Sequence, residues 1–213
     1  MKNRFFISLL LMLCFISVDA KLTPATDSQR REMSQKINAA ASAMTTLDCN
    51  FVQVKQLKML NDKMTSTGVM RYKKSGKLRW EYTSPYKYVF IINGSKVLID
   101  TGKQRNVIDI NTNKMFEEIA RIMMNSVTGK CLADNKEFAV KYFIDDKGNW
   151  VADLTPLKKQ MKQMFSLIRL HFDVKQMVVT SVELHEKSGD NTVITLKNIK
   201  KNQPVNESNF KIN

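Results

Sequence analysis

Between Lys77 and Tyr82 apolar and polar residues alternate. Leu78, Trp80 and Tyr82 fall on one side, and Lys77, Arg79 and Glu81 on the other. That is the period-two pattern of a strand with one wet face. The same reading predicts strands at Leu47–Leu60, Met64–Lys73, Tyr88–Ile92, Ser95–Ile99 and Asn106–Ile110. Beyond residue 130 it predicts more at Phe138–Ile144, Trp150–Leu154, Phe165–Phe172, Val178–His185 and Thr192–Ile199. Phe210 and Ile212 suggest a last short edge. Asn93-Gly94 stands alone between two apolar runs, so the pattern predicts a hairpin with a type I′ turn there, which needs φ > 0 at both central residues.

Two segments carry the helical period instead. From Asp27 to Met44, with Asp27 or Ser28 as cap, Met33, Ile37, Ala40, Ala41 and Met44 form one apolar stripe. From Thr112 to Val127, closed by Gly129, Met115, Phe116, Ile119, Ala120, Ile122, Met123 and Met124 cover more than half of the circumference. A helix that apolar is buried on much of its surface. Lys158–Met164 reads as a short basic helix or loop.

The expectation is a mainly β fold with α elements: about ten or eleven strands joined by short turns. Such connections favour an antiparallel meander curled into a barrel or partial barrel. A sheet that large has more apolar inner face than its own side chains can fill. The apolar helices are the material available to cover it.

Composition changes the picture in three places. Lys2 and Arg4, the apolar run Phe5–Val18 and Val18-Asp19-Ala20 read as a secretory leader over 1–20, with cleavage near Ala20 and one exported domain over 21–213. Leu13 ahead of Cys14 is not the small residue that lipidation of that cysteine needs. The chain holds 34 Lys and Arg against 20 Asp and Glu, a net charge of +14. Export argues against nucleic acid as the partner. This leaves a Lys-rich soluble surface or a partner such as an anionic membrane face. Cys49 and Cys131 remain after the leader. They either bridge, worth about 4 kcal/mol in the chain-entropy model, or stay as two buried thiols.

Reaction chemistry has little to work with. His171 and His185 lie on different predicted strands without metal-ligand spacing. Asp109, Asp145 and Asp146 sit in turns, where Asp is ordinary. Seven glycines leave little room for a phosphate-cradling loop. No catalytic residue, metal site or cofactor is expected. Met115, Met123, Met124, Met161 and Met164 fit either a plain core or a surface for variable ligands.

Several short motifs occur in one order: Phe51-Val52-Gln53, Gly68, Arg79-Trp80-Glu81-Tyr82-Thr83-Ser84-Pro85, Asn93-Gly94 and Leu154-Thr155-Pro156. In order and spacing they resemble the periplasmic outer-membrane lipoprotein carriers, the LolA family, over nearly the whole mature chain. The resemblance implies a Gram-negative periplasm and an unclosed antiparallel β-barrel whose concave apolar face is covered by helices. It implies a non-enzymatic monomeric carrier that takes lipoprotein acyl chains from an inner-membrane ABC transporter to an outer-membrane acceptor. A lipid-binding sensor or scaffold of the same fold is the alternative. The expected cavity is lined by Leu78, Trp80, Tyr82, Phe90 and Ile92 from the sheet, met by Met115, Ile119, Ile122 and Met123 from the second helix. Lys74 and Ser75 stand where the family pattern has Arg and Pro, and Leu98 and Asp100 replace an aromatic pair. Lys74 is the candidate lid latch, its ammonium at a helix C-terminus. An exposed turn lysine is the competing reading. Lys keeps the charge of Arg but lacks its planar fork.

Overall fold

The computed structural model describes residues 21–112, 121–126, 128–132 and 136–212. The leader with Cys14, and Met115, Phe116, Ile119 and Ala120 of the second helix, lie outside the described residues.

The chain opens with β1 (Thr23–Pro24) and α1 (Asp27–Ala43). Six strands follow: β2 (Thr46–Leu57), β3 (Asp62–Lys73), β4 (Lys77–Ser84), β5 (Tyr88–Asn93), β6 (Lys96–Asp100) and β7 (Arg105–Asp109). A helical segment at 121–126, here α2, precedes β8 (Phe138–Ile144) and β9 (Trp150–Pro156). Then come α3 (Lys159–Met164), β10 (Phe165–Asp173), β11 (Val178–Glu186) and β12 (Asn191–Lys201). All twelve strands belong to one antiparallel sheet in the order β1-β8-β9-β10-β11-β12-β2-β3-β4-β5-β6-β7.

The sheet does not close, because β1 and β7 are its edges. Both edges resist further pairing. β1 is two residues long and ends in Pro24, which has no N–H to offer. β7 is five residues long, largely exposed, and bounded by Arg105 and Asp109. β1 is the strand that the pattern missed. Two residues cannot show a period, and β1 is defined only by Thr23 and Pro24 pairing with Ile144 and Phe143.

Direct cross-strand partners share a face, so the register gives the layout of the sheet. Leu154, Ile168, Leu184 and Thr192 are aligned through β9, β10, β11 and β12. Leu196, Phe51, Gly68, Tyr82 and Tyr88 are aligned through β12, β2, β3, β4 and β5. These rows form one apolar inner face. Two core clusters occupy it. One gathers Met44, Phe51, Met70, Leu78, Trp80 and Phe90. The other gathers Met33 and Ile37 of α1 with Phe138, Leu154, Ile168 and Phe172.

α1 lies over the second cluster. Thr26, not Asp27 or Ser28, caps it: Thr26 and Gln29 form a reciprocal capping box in which each backbone N–H is satisfied by the other's side chain. Gly129 follows α2 at φ +76°, and a Cβ there would come within 3.2 Å of Ile37 Cγ2. The end of α2 therefore packs directly under α1.

Two turns differ from expectation. The hairpin loop is Gly94-Ser95, closed by the pair Asn93 and Lys96. Gly94 has φ +60°, while neither Asn93 nor Ser95 has a positive φ. A positive φ at the first central residue alone marks type II′ rather than I′. Asn93 bonds outside the turn instead, and its side-chain amide donates to the Phe210 carbonyl at 3.1 Å. The second difference is that Phe210 and Ile212 form no edge strand. Glu207–Phe210 is a 3₁₀ turn, and this segment packs on the outer face of β5 and β6.

That placement has a clear cause. β5 is apolar on both sides: Phe90 and Ile92 face inward, Ile91 and Val89 outward. Ile91 and Leu98 would be exposed without Val205, Phe210 and Ile212 over them. Lys73 and Lys77 pin the segment through Glu207. Hydrogen bonds from these two lysines, Lys73 first, hold the Glu207 carboxyl down at about 2.

Phe210 is fully buried. We expect Phe210→Ala to cost about 3–5 kcal/mol in urea unfolding, the range for truncating a buried phenylalanine. A change below about 1 kcal/mol would show that the C-terminal segment contributes little.

Candidate lipid-binding cavity

The inner face is built around stacked aromatic rings. Phe51 on β2 stacks on Trp80 of β4, with centroids 4.3 Å apart, and meets Tyr82 edge-on at 5.2 Å. Tyr82 in turn meets Tyr88 at 5.9 Å. Phe51 can lie flat because its cross-strand partner is Gly68. A Cβ on Gly68 would fall 2.4 Å from the Phe51 ring and 2.0 Å from the Glu81 carbonyl oxygen. Only a residue without a side chain lets β3 pass beneath that ring.

Beside this stack is a cavity of about 200 Å³. Trp80 and Tyr82 form one wall, Val182, Leu184, Ile194 and Leu196 another, and α2 roofs it with Ile122, Met123 and Ser126. Its polar groups are few. Tyr82 Oη donates to Gln53 Oε1 at 2.9 Å, and Ser126 is buried in the roof. Burial pushes the Tyr82 phenol above its ordinary range, so it stays neutral in the wall. A mostly apolar space with a few neutral hydrogen-bonding groups is suited to hydrocarbon.

The structure brings some of the expected residues together. Trp80, Tyr82, Ile122 and Met123 line the cavity itself. Leu78, Phe90 and Ile92 lie in the same packed cluster but in the floor, fully or almost fully buried. Met115 and Ile119 lie outside the described residues. The far wall from β11 and β12 was missed. Its residues have ordinary strand alternation, and nothing in sequence shows that β12 pairs with β2, more than a hundred residues away. Only that pairing closes the cavity.

Lys74 sits in the β3–β4 turn. Its Nζ donates to the Ser42 carbonyl at 2.6 Å, and its backbone N–H to the Thr45 carbonyl at 2.8 Å. Ser42 is in the last turn of α1, which has no basic residue of its own. The turn thus supplies a cation to a carbonyl left unpaired at the end of α1, and a backbone donor to the residue just past its C-cap, Met44. At the other helix, Arg121 pairs with Glu137, which also accepts from Lys158 at 2.7 Å.

Cys49 is a buried free thiol beneath the aromatic stack. Burial pushes it up to about 12, so it behaves as a small apolar residue. The two histidines meet on the outer face instead. His171 Nε2 lies 2.6 Å and His185 Nε2 3.4 Å from the Glu183 carboxylate. The hydrogen bond from His171 is the main cause that lowers Glu183. A polar hollow of about 420 Å³ beside them includes Asp145, Asp173 and Thr180. Among the described residues, no group of three or more His, Cys, Asp or Glu side chains is placed to hold a metal.

An open antiparallel sheet with a helix-roofed apolar cavity has the form of a binding protein for apolar ligands. The family model for "Outer membrane lipoprotein carrier protein LolA" matches residues 42–213, and the chain belongs to that family. It is similar to the outer-membrane lipoprotein carrier protein of Chromobacterium violaceum, 25% identical over 191 residues, covering 87% of this chain and 85% of the relative. That of Cupriavidus necator is 24% identical, covering 99% and 94%. A conserved protein from Thermus thermophilus shares the fold, with a TM-score of 0.53 at 8% identity over 85% of this chain and 91% of its own.

We expect Gly68→Ala to destabilise the chain by about 1–3 kcal/mol, since the added methyl meets backbone on one side and a packed ring on the other. Chemical unfolding followed by tryptophan fluorescence would measure it. Unchanged stability would mean that β3 shifts to make room.

Proposed function

We propose that this chain is a periplasmic carrier that shields the acyl chains of lipoproteins on their way to the outer membrane. The observation that supports the reading most directly is the apolar cavity between Trp80, Leu184 and the α2 roof. Family membership and the carrier names of its relatives point the same way. Each methylene exposed to water forfeits about 0.8 kcal/mol of favourable transfer, so a lipidated protein needs cover to cross an aqueous gap. Such cover needs apolar area and a movable roof, and no reactive residue.

At about 200 Å³ the cavity is smaller than the roughly 300–1,000 Å³ that encloses a drug-sized ligand. A lipoprotein's acyl chains are larger still, so loading requires α2 to swing away from the sheet. Met123 and Met124, packed against the aromatic cluster, suit a roof that leaves and returns. In this reading Lys74 is the latch, holding the C-terminal end of α1 to the β3–β4 turn while α1 rests on the end of α2. A donor inner-membrane ABC transporter and an outer-membrane acceptor complete the route.

Ile122→Asp places an unpaired carboxylate in the roof. We expect at least tenfold weaker binding of a fluorescent fatty acid by the folded variant. Unchanged affinity would move the ligand away from this cavity. Mass spectrometry of ligands co-purified from the periplasm would test the cargo class, and absence of any acylated species would count against the reading.

The latch has its own test. Lys74→Ala removes the bond to Ser42 and should speed uptake and release of a labelled lipidated peptide in stopped-flow transfer, with little change in global stability. Lys74→Arg should slow both, because the guanidinium can bond several carbonyls at once. Equal rates in all three would leave Lys74 as a solvated turn residue.

A further inference from the structure

Seven large apolar side chains are exposed among the described residues, and six of them collect at one end of the sheet. The register shows which end. β2 finishes and β3 begins there, with Leu57 opposite Asp62. β4 finishes there at Ser84, opposite Thr67, and β6 at Asp100, opposite Val89. Asn191 of β12 lies opposite Gln56, and Glu186 of β11 opposite Phe165. So the β2–β3 turn, the β4–β5 turn, the β6–β7 turn, the β11–β12 turn and α3 form one rim.

The apolar residues of that rim stand at its tips. Met59 and Leu60, 94% and 72% exposed, cap the β2–β3 turn, with Met64 on the return strand. Tyr86, 76% exposed, tips the β4–β5 turn. Leu157 precedes α3 and Met164 is its last residue. The β2–β3 hairpin also projects. β4 accompanies β3 only from Thr67 onward, so Asp62–Ser66 runs about 17 Å past the end of β4.

Exposed lysines alternate with these tips. Lys58 and Lys63 bracket Met59-Leu60, and Lys87 follows Tyr86. Lys103 is in the next turn and Lys187 in the β11–β12 turn. Lys159 and Lys162 lie on α3. Among the described residues of these turns Asp62 is the fully exposed acid, while Asp100, Glu186 and Asp190 are half-buried at the strand ends, the last two paired with Lys55. At the opposite end the exposed lysines Lys74, Lys96, Lys147 and Lys175 stand among the exposed acids Asp109 and Asp146 and the half-buried Asp145 and Asp173.

The cavity lies toward the same rim. Tyr82 and Leu184 are each two residues from the rim ends of β4 and β11, and Ile194 is three from that of β12.

We propose that this rim is a docking surface for an anionic phospholipid bilayer, with the Met59-Leu60 tip entering the headgroup layer and the surrounding lysines meeting lipid phosphates. An isolated apolar tip is common, and so is a basic surface. Apolar tips ringed by cations on one rim match a charged interface over a hydrocarbon layer. The proximity of the cavity gives an acyl chain a short path from bilayer to protein. The proposal goes beyond the carrier reading and does not depend on cavity occupancy.

Sedimentation with phosphatidylglycerol vesicles, against phosphatidylcholine vesicles, tests it on the mature chain. We expect binding to the anionic vesicles alone, weakening steeply with salt. The triple change Lys58→Gln, Lys63→Gln, Lys87→Gln should lower partitioning at least tenfold. Met59→Ser with Leu60→Ser should lower it several-fold. A control triple at the opposite end, Lys96→Gln, Lys147→Gln, Lys175→Gln, should leave most of it. All these positions are exposed, so unfolding midpoints and fatty-acid affinity should stay at wild-type values. No binding of the wild type to anionic vesicles, or equal losses from the two triples, would overturn the proposal, leaving an acidic protein surface as the rim's partner. Vesicle binding that persists while Ile122→Asp abolishes fatty-acid binding keeps the rim and the cavity as separate findings.

Discussion

An antiparallel sheet of twelve strands with an apolar face from edge to edge must put something on that face. Water cannot remain there without a large hydrophobic cost, and the open edges prevent the sheet from filling its own interior as a closed barrel does. Most other features answer that constraint. α1 covers one half with Met33 and Ile37. α2 covers the other with Met123 and Met124. Among the described residues, the cavity lies beside this second covering, under Ile122, Met123 and Ser126.

The same logic explains why the described lining of the cavity is mostly apolar. A surface of this kind meets what covers it by area and shape rather than by directed bonds. Aromatic stacking supplies rigidity where the wall must keep its shape, as in Phe51 against Trp80. Methionine supplies adaptable packing in the roof, where Met123 and Met124 meet the cluster. Polar bonding is pushed to the margins: Lys74 at the end of α1, Arg121 and Lys158 on Glu137, Lys73 and Lys77 on Glu207. These bonds act at element ends, where they fix position without adding charge to the cavity. The histidines follow the same division, since both sit with Glu183 on the outer, solvated face.

The outer face of β5 and β6 shows what happens when a strand is apolar on both sides. Ile91 and Leu98 cannot be left to water, so the chain returns from residue 205 to cover them. A stretch that looks like a final strand becomes a cover, anchored by the Asn93 amide on the Phe210 carbonyl. Leu98, one of the positions that departs from the resemblance, is part of this arrangement.

Sequence alone determined the strands, because a period of two with one wet side is a local property that each segment carries by itself. It determined the motif order that identifies the family, and it placed Trp80, Tyr82, Ile122 and Met123 on apolar faces. It also placed Lys74 in the turn from which it reaches Ser42. It could not determine which faces meet. The wall of Leu184 and Ile194, the floor role of Leu78 and Ile92, and the two-residue β1 depend on pairings between distant strands, and a strand's own alternation does not name its neighbour. The hairpin turn was misassigned for a related reason: Asn93 entered the ladder and bonded Phe210, a contact more than a hundred residues away. Tertiary structure alone gathered Met59, Leu60, Tyr86 and Met164 on one rim, because only the register of the sheet decides which turns share an end.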